Sequence, residues 1–266
     1  MAVRGPSSDR MTTPSKPAKT ATGTARQPHE KRVTASSPQA VQAMGWLHTA
    51  RFLTTAPKLH FLPELQVPEI AFVGRSNAGK STCINTLTQQ KQLAFASKKP
   101  GRTQHINLFS LGKQGSTDAV LTDLPGYGYA AVPREDKIRW QQVMANYLVS
   151  RENLMGVVLL MDPRHGMTEL DEILLEVIRP RVEEGLKLLV LLTKADKLTR
   201  MEGAKALSIA RLQAGGGKVM LFSATKRTGI EDASLELWNW THPPATPEAD
   251  AAPVATPAAP PPGPTA

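Results

Sequence analysis

From residue 69 to residue 240, short apolar runs alternate with longer segments in which apolar residues recur every three or four positions. The short runs predict strands at 69–73, 106–111, 119–122, 155–161, 187–192 and 218–222, and the longer segments predict helices at 80–88, 134–149 and 168–178, then at about 199–213 and 229–240. Strands separated by helices build a parallel sheet with helices on both faces. One gap breaks the rule: 112–118 holds Gly112, Gly115, Ser116 and Asp118 and suits a hairpin, so one antiparallel edge pair is expected. Pro133 opens the second helix and Pro180 closes the third, Thr168 and Asp171 have the spacing of a capping box, and Gly215–Gly217 ends the fourth helix. No internal repeat is present, which excludes a solenoid. The expected fold is α/β, a six-stranded, mostly parallel sheet.

Both ends lack such periodicity. Residues 1–40 are rich in Pro, Ser, Thr, Lys and Arg, and 241–266 consist almost wholly of Pro, Ala and Thr. Neither composition buries a core, so a disordered basic tail (1–40) and a disordered Pro/Ala-rich tail (241–266) are expected to flank one domain at 41–240. The chain carries a formal charge of +9, with seven basic and two acidic side chains in residues 1–40 and two acidic ones in 241–266. The domain itself is therefore basic, which suits a polyanionic partner such as RNA. A single cysteine, Cys83, excludes an internal disulfide and a Cys-rich metal site and fits a reducing cytoplasm. No apolar run approaches the ~20 residues of a membrane helix, so no membrane contact and a cytoplasmic location are expected.

The chemistry begins at Gly74-Arg75-Ser76-Asn77-Ala78-Gly79-Lys80-Ser81, which matches GxxxxGK[ST] between a predicted strand and a predicted helix. Glycines let successive backbone N–H groups face anionic phosphates, and the helix N-terminus adds its partial positive charge. Lys80 would neutralise β- and γ-phosphate oxygens, and the Ser81 hydroxyl would ligate Mg²⁺. Thr193-Lys194-Ala195-Asp196 follows a buried strand and so lies at the carboxyl edge of the sheet. There Asp196 would accept from guanine N1–H and N2–H together, while adenine offers neither donor, and Lys194 would lay its stem along the base. Phe222 ends the last strand and Ser223-Ala224 follow it directly, where the Ala224 N–H would reach toward guanine O6. Asp123-Leu124-Pro125-Gly126 ends the third strand, offering a carboxylate for a magnesium water and a glycine N–H for the γ-phosphate. Upstream, Lys98-Lys99-Pro100-Gly101-Arg102-Thr103 is a basic loop, followed by Gln104 and His105, whose Thr103 would complete the magnesium shell.

This ordered set resembles the translation-factor-related class of GTPases with a Ras-like core. The segments GRSNAGKS, KKPGRTQHINLF, TDLPGYGYA, DPRHGMTELD and LTKADKL, spread over about residues 45–240, closely resemble the EngB family (YihA, YsxC) of bacterial P-loop GTPases. The resemblance implies slow Mg²⁺-dependent hydrolysis of GTP, binding of GTP and GDP by a monomer, and a role in assembly of the large ribosomal subunit, with division and septation failing in its absence. After Gly126 stands Tyr127, where Ras-type enzymes place a water-orienting glutamine, so slow intrinsic turnover is expected. Asn77 admits two readings: a K⁺ ligand beside the phosphates, as in related GTPases, or a residue chosen for the loop's backbone angles. The catalytic set is thus Lys80, Asn77, Thr103 and Gly126. A P-loop kinase or ATPase, and a division-site protein that binds GTP with little hydrolysis, are the competing functions. Trp238 and Trp240 are expected to pack rather than to stack on bases, and Cys83 to pack the P-loop helix on the sheet.

Overall fold

The computed structural model describes residues 36–95, 105–113, 115–128 and 134–243, excepting the side chains of 134, 136, 137, 139 and 140. Helix α1 (Pro38–Leu47) leads into strand β1 (Arg51–Ala56), and a 3₁₀ turn at Leu59–Phe61 precedes β2 (Glu69–Gly74). There follow α2 (Lys80–Leu87), β3 (Ile106–Leu111), β4 (Ala119–Asp123), α3 (Arg134–Ser150) and β5 (Leu154–Met161). The chain continues through α4 (Glu169–Glu183), β6 (Lys187–Leu192), α5 (Arg200–Ala214), β7 (Lys218–Leu221) and α6 (Ile230–Thr241). The strands form one sheet in the order β1-β3-β4-β2-β5-β6-β7.

Strand β2 lies at the centre, parallel to β4 on one side and to β5 on the other, and all six of its residues are buried. That explains its unbroken apolar run, since helices cover both faces of a parallel sheet. Alternate residues serve opposite layers: Ala71, Val73, Val157 and Leu159 pack with side chains of α3, α4 and α5, while Ile70, Phe72, Val158 and Leu160 pack with α1, α2 and α6. Cys83 is buried in the second layer, where desolvation pushes its thiol far above the ordinary value. Trp240 is buried there too, and Trp238 meets Trp46 edge-to-face with ring centroids 5.5 Å apart and stacks on His242 at 3.7 Å.

Three features differ from expectation. The sheet has seven strands rather than six. The additional strand, β1, pairs antiparallel with β3, so the β3–β4 hairpin is interior and β1 forms the edge. Helix α1 starts at Pro38, inside the stretch assigned to the N-terminal tail, and Ser37 caps it by accepting from the Ala40 N–H at 3.1 Å. Helix α4 runs through Pro180 to Glu183. Proline removes one backbone donor, and this one stands in the last turn, where a single lost bond does not stop the helix.

At the amino end of β2, Glu69 is fully buried. Its carboxylate accepts from Arg151 Nη2 at 2.5 Å, from Tyr147 Oη at 2.6 Å and from Asn153 Nδ2 at 3.1 Å. This cluster ties β2 to the end of α3 and the start of β5. Burial, then the Glu69 charge, push the Tyr147 phenol well above its usual value, so it remains the donor.

A nucleotide site at the carboxyl edge of the sheet

The parallel strands β2, β4, β6 and β7 all end on the same edge, and the loops that follow them hold the segments singled out from the sequence. In open α/β sheets ligands bind outside the carboxyl ends of the strands.

After β2, the phosphate-loop segment turns at Asn77 (φ 66°) and Gly79 (φ 98°) and enters α2 at Lys80. A Cβ on Gly74 would lie 2.5 Å from the Leu160 carbonyl oxygen, so only glycine lets the loop leave β2 this close to β5. Thr193 braces the loop from β6, its hydroxyl donating to the Ala78 carbonyl at 2.6 Å. The left-handed backbone of Asn77 is one that asparagine tolerates, which accounts for its presence without any ion.

Lys80 is largely buried and pairs with Asp123, which is fully buried at the end of β4. The second oxygen of Asp123, Oδ2, is buried without a hydrogen-bond partner among the described residues. Among the described residues, the Ser81 hydroxyl makes only a 3.5 Å contact, to the Phe95 carbonyl. A buried carboxylate oxygen awaiting a donor, beside a hydroxyl with a long contact, suits the water and oxygen ligands of a hard divalent cation. Leu124 and Pro125 are buried, and Gly126 is exposed. Arg75 and Tyr127 form a bridge that joins the segment after β4 to the phosphate loop.

On the other side, Asp196 accepts from the Ser223 hydroxyl at 2.6 Å, and that bond holds its carboxyl below the usual carboxylate range. An ionised carboxylate in a fixed orientation is suited to two adjacent N–H donors. Lys194, itself left-handed at φ 54°, stretches from the end of β6 to the phosphate loop, its ammonium donating to the Asn77 carbonyl at 2.9 Å and lying 3.1 Å from Asp162. Phe222 is buried in the core, so its part is confined to the backbone, where its carbonyl accepts from Ala195 N–H at 3.1 Å. Ala224 is half-buried just beyond Ser223, and His105 is exposed before β3. Lys98, Lys99, Pro100, Gly101, Arg102, Thr103 and Gln104 lie outside the described residues.

Sequence reasoning passed over Asp162. Its carboxylate is held far below the usual range, first by Arg164 at 2.6–2.9 Å and then by Lys194. It fixes the lysine that spans the two halves of the site. The residue stands at the head of the DPRHG segment, whose meaning emerges only when β5 and β6 lie side by side.

A family model described as a 50S ribosome-binding GTPase matches residues 69–194. A probable GTP-binding protein EngB of Albidiferax ferrireducens is 82% identical over 201 residues, spanning 76% of this chain and 97% of that protein. The chain belongs to the EngB family of GTP-binding proteins. As an EngB-family member it is a GTPase. A probable EngB of Burkholderia thailandensis is 50% identical over 215 residues, covering 77% of this chain and 97% of the relative. Among solved structures, a probable GTP-binding protein engB aligns with a TM-score of 0.52 at 21% identity, over 65% of this chain and 98% of that one. Era in complex with MgGDPNP and nucleotides of 16S ribosomal RNA aligns with a TM-score of 0.53 at 20% identity, over 66% and 57%. These two likenesses concern the fold, which is that of the Ras-like GTPases. The EngB-family chain has no described helix long and apolar enough to cross a membrane.

Proposed function

We propose that this EngB-family GTPase is a Mg²⁺-dependent switch that acts in assembly of the large ribosomal subunit. The observation that carries the nucleotide assignment is Asp196, ionised and pinned by Ser223 across a short gap spanned by Lys194 from the phosphate loop. Asp196 accepts from guanine N1–H and N2–H, the Lys194 stem lies along the base, and the Ala224 N–H meets O6. With nucleotide bound, the Lys80 ammonium and its three donors would turn from Asp123 to the β- and γ-phosphates. Ser81 and Thr103 would hold Mg²⁺, with Asp123 Oδ2 as an acceptor for a water of the ion, and the Gly126 N–H would contact the γ-phosphate. Bound there, Mg²⁺ neutralises charge that develops on the phosphate oxygens.

Tyr127 is buried with its hydroxyl bonded to Asp171 at 2.5 Å. Its hydroxyl is taken up by Asp171, and a water-orienting group is therefore missing from this position. Hydrolysis is slow unless a partner or an ion supplies one. Asn77 is the residue that would hold K⁺, and the expected result is faster GTP hydrolysis in KCl than in NaCl at equal ionic strength. Equal rates would leave Asn77 with its conformational role alone.

The ribosomal reading draws on the description of the matched family model and on the +9 charge of the chain. Its test is co-sedimentation with large ribosomal subunits in the presence of GDP or a non-hydrolysable GTP analogue, over a range of salt concentrations. Binding that depends on the nucleotide and persists at moderate salt is expected, with division defects following from a shortage of ribosomes. Binding that ignores the nucleotide and disappears in modest salt would reduce the charge to a nonspecific attraction and favour a direct role at the division site.

A further inference from the structure

Tyr127 does not orient water, yet it is among the most firmly held residues of the site. Its N–H donates to the Gly74 carbonyl at 3.4 Å, and its own carbonyl accepts from the Ser76 N–H at 2.7 Å. Its ring is buried, 8% exposed, against the core layer that includes Leu124, Leu174 and Tyr147. Its hydroxyl donates to Oδ1 of Asp171, a residue 1% exposed in the first turn of α4. The other oxygen of Asp171 accepts from the Thr168 N–H at 2.8 Å and the Thr168 hydroxyl at 2.7 Å. Three donors thus converge on one buried carboxylate, and the capping group of α4 is at the same time the anchor of Tyr127. Burial, and after it the Asp171 charge, push the phenol well above its ordinary value, so it remains a donor.

Gly126 stands between this anchor and β4. A Cβ on it would lie 3.2 Å from both Cα and N of Ser76, so this glycine already touches the phosphate loop. On the far side, exposed Gly128 (φ 73°) has the Arg75 side chain beside it, with Nε 3.2 Å and Leu170 Cδ1 3.5 Å from where its Cβ would be. A peptide fixed on both sides presents its N–H without first having to be ordered.

We infer that Tyr127 is a positioning residue for the γ-phosphate, holding the Gly126 N–H in place through its hydrogen bond to Asp171. The inference rests on the reading that Gly126 contacts the γ-phosphate. GDP does not extend to Gly126, so the anchor acts on GTP and leaves GDP aside. Coupling is reciprocal: whatever shifts the first turn of α4 alters the preference for GTP, and GTP steadies that turn.

The experiment compares affinities of the full chain for GDP and for a non-hydrolysable GTP analogue in the wild type, four single variants and one double variant. Tyr127→Phe keeps the ring and removes one hydroxyl; it should weaken the analogue about tenfold and GDP less than about twofold. Asp171→Asn should show the same selective loss, and the double variant should be no worse than either single one, as expected of partners in one bond. Thr168→Val removes a donor to the same carboxylate but leaves the tyrosine bond; it should lower thermal stability with no selectivity between nucleotides. Gly126→Ala tests the underlying reading and should weaken the analogue selectively. If Gly126→Ala is selective while Tyr127→Phe weakens both nucleotides equally or neither, the anchor is overturned and the γ-phosphate contact stands. If Gly126→Ala itself shows no selectivity, both fall together. Selectivity in Thr168→Val equal to that of Tyr127→Phe would reduce the network to the capping of α4.

Discussion

Asp196→Asn is expected to lower GTP and GDP affinity on the order of 10²–10³-fold and to admit xanthine nucleotides in their place. The amide keeps the size of the carboxylate and one acceptor oxygen, but it brings an NH₂ donor up against the guanine N2–H₂ group. Xanthine carries a carbonyl at C2, which accepts from that same NH₂. The fixed geometry makes the exchange sharp: Ser223 donates to Oδ1 at 2.6 Å, so the oxygen of the asparagine is drawn toward Ser223 and the amide nitrogen is left to face the base. Titration with fluorescent guanosine and xanthosine diphosphates measures both halves. Retention of GTP affinity in the variant would remove Asp196 from the site.

Glu69→Ala is expected to cost about 3–5 kcal/mol of folding stability. The Arg151 guanidinium side chain is 16% exposed, and the substitution leaves it without its carboxylate while the Tyr147 hydroxyl, in a fully buried residue, loses its acceptor. Urea unfolding at fixed GDP concentration reads the cost, since bound nucleotide adds its own stabilisation. Glu69→Gln keeps an acceptor for Tyr147 and should lie between the two. A loss below about 1 kcal/mol would show that the cluster is solvated in solution. The guanidinium of Arg151 also donates to the Pro63 carbonyl at 2.8 Å, which retains part of its satisfaction.

The middle of the sheet was legible because β2, β5 and β6 are buried on both faces along almost their whole length and write nearly continuous apolar runs. Leu188 to Leu192 needs no further context, and the predicted bounds of β3 and β6 coincide with those observed. The edge was not legible. Along β1 the side chains of Arg51, Phe52 and Leu53 are all exposed, and the register shifts between Phe52 and Thr54, so no alternation survives. Helix α1 carries Gly45 near its end and adjoins a Pro- and Ser-rich stretch, and local propensity there points away from a helix. What holds it is tertiary: Trp46 Nε1 donates to Asp118 at 3.1 Å, and Leu47 is wholly buried.

The site divides along the same line. The glycines and the lysine of the phosphate loop are read from spacing, because their job is done by backbone close at hand in the chain. Asp162 acts on Lys194, 32 residues away, and no local pattern announces it; the capping-box spacing marks Asp171, but not its bond to Tyr127, 44 residues away. Both aspartates lie within the DPRHGMTELD segment that carries the family resemblance.

Helix α1 and helix α6 are the first and last helices described, and Ser36 donates to Glu231 across 195 residues of chain at 2.6 Å. Synthesis therefore makes α1 early and supplies its cover last. Until residues 230–241 are made, Trp46 has no Trp238 to meet, and the layer formed by Leu47, Ile84 and Leu237 stays open. A chain truncated before α6 presents an apolar face to proteases and chaperones instead of a marginally folded GTPase. The first helix described thus stays uncovered until the last one described has been made, and its exposure marks an incomplete chain.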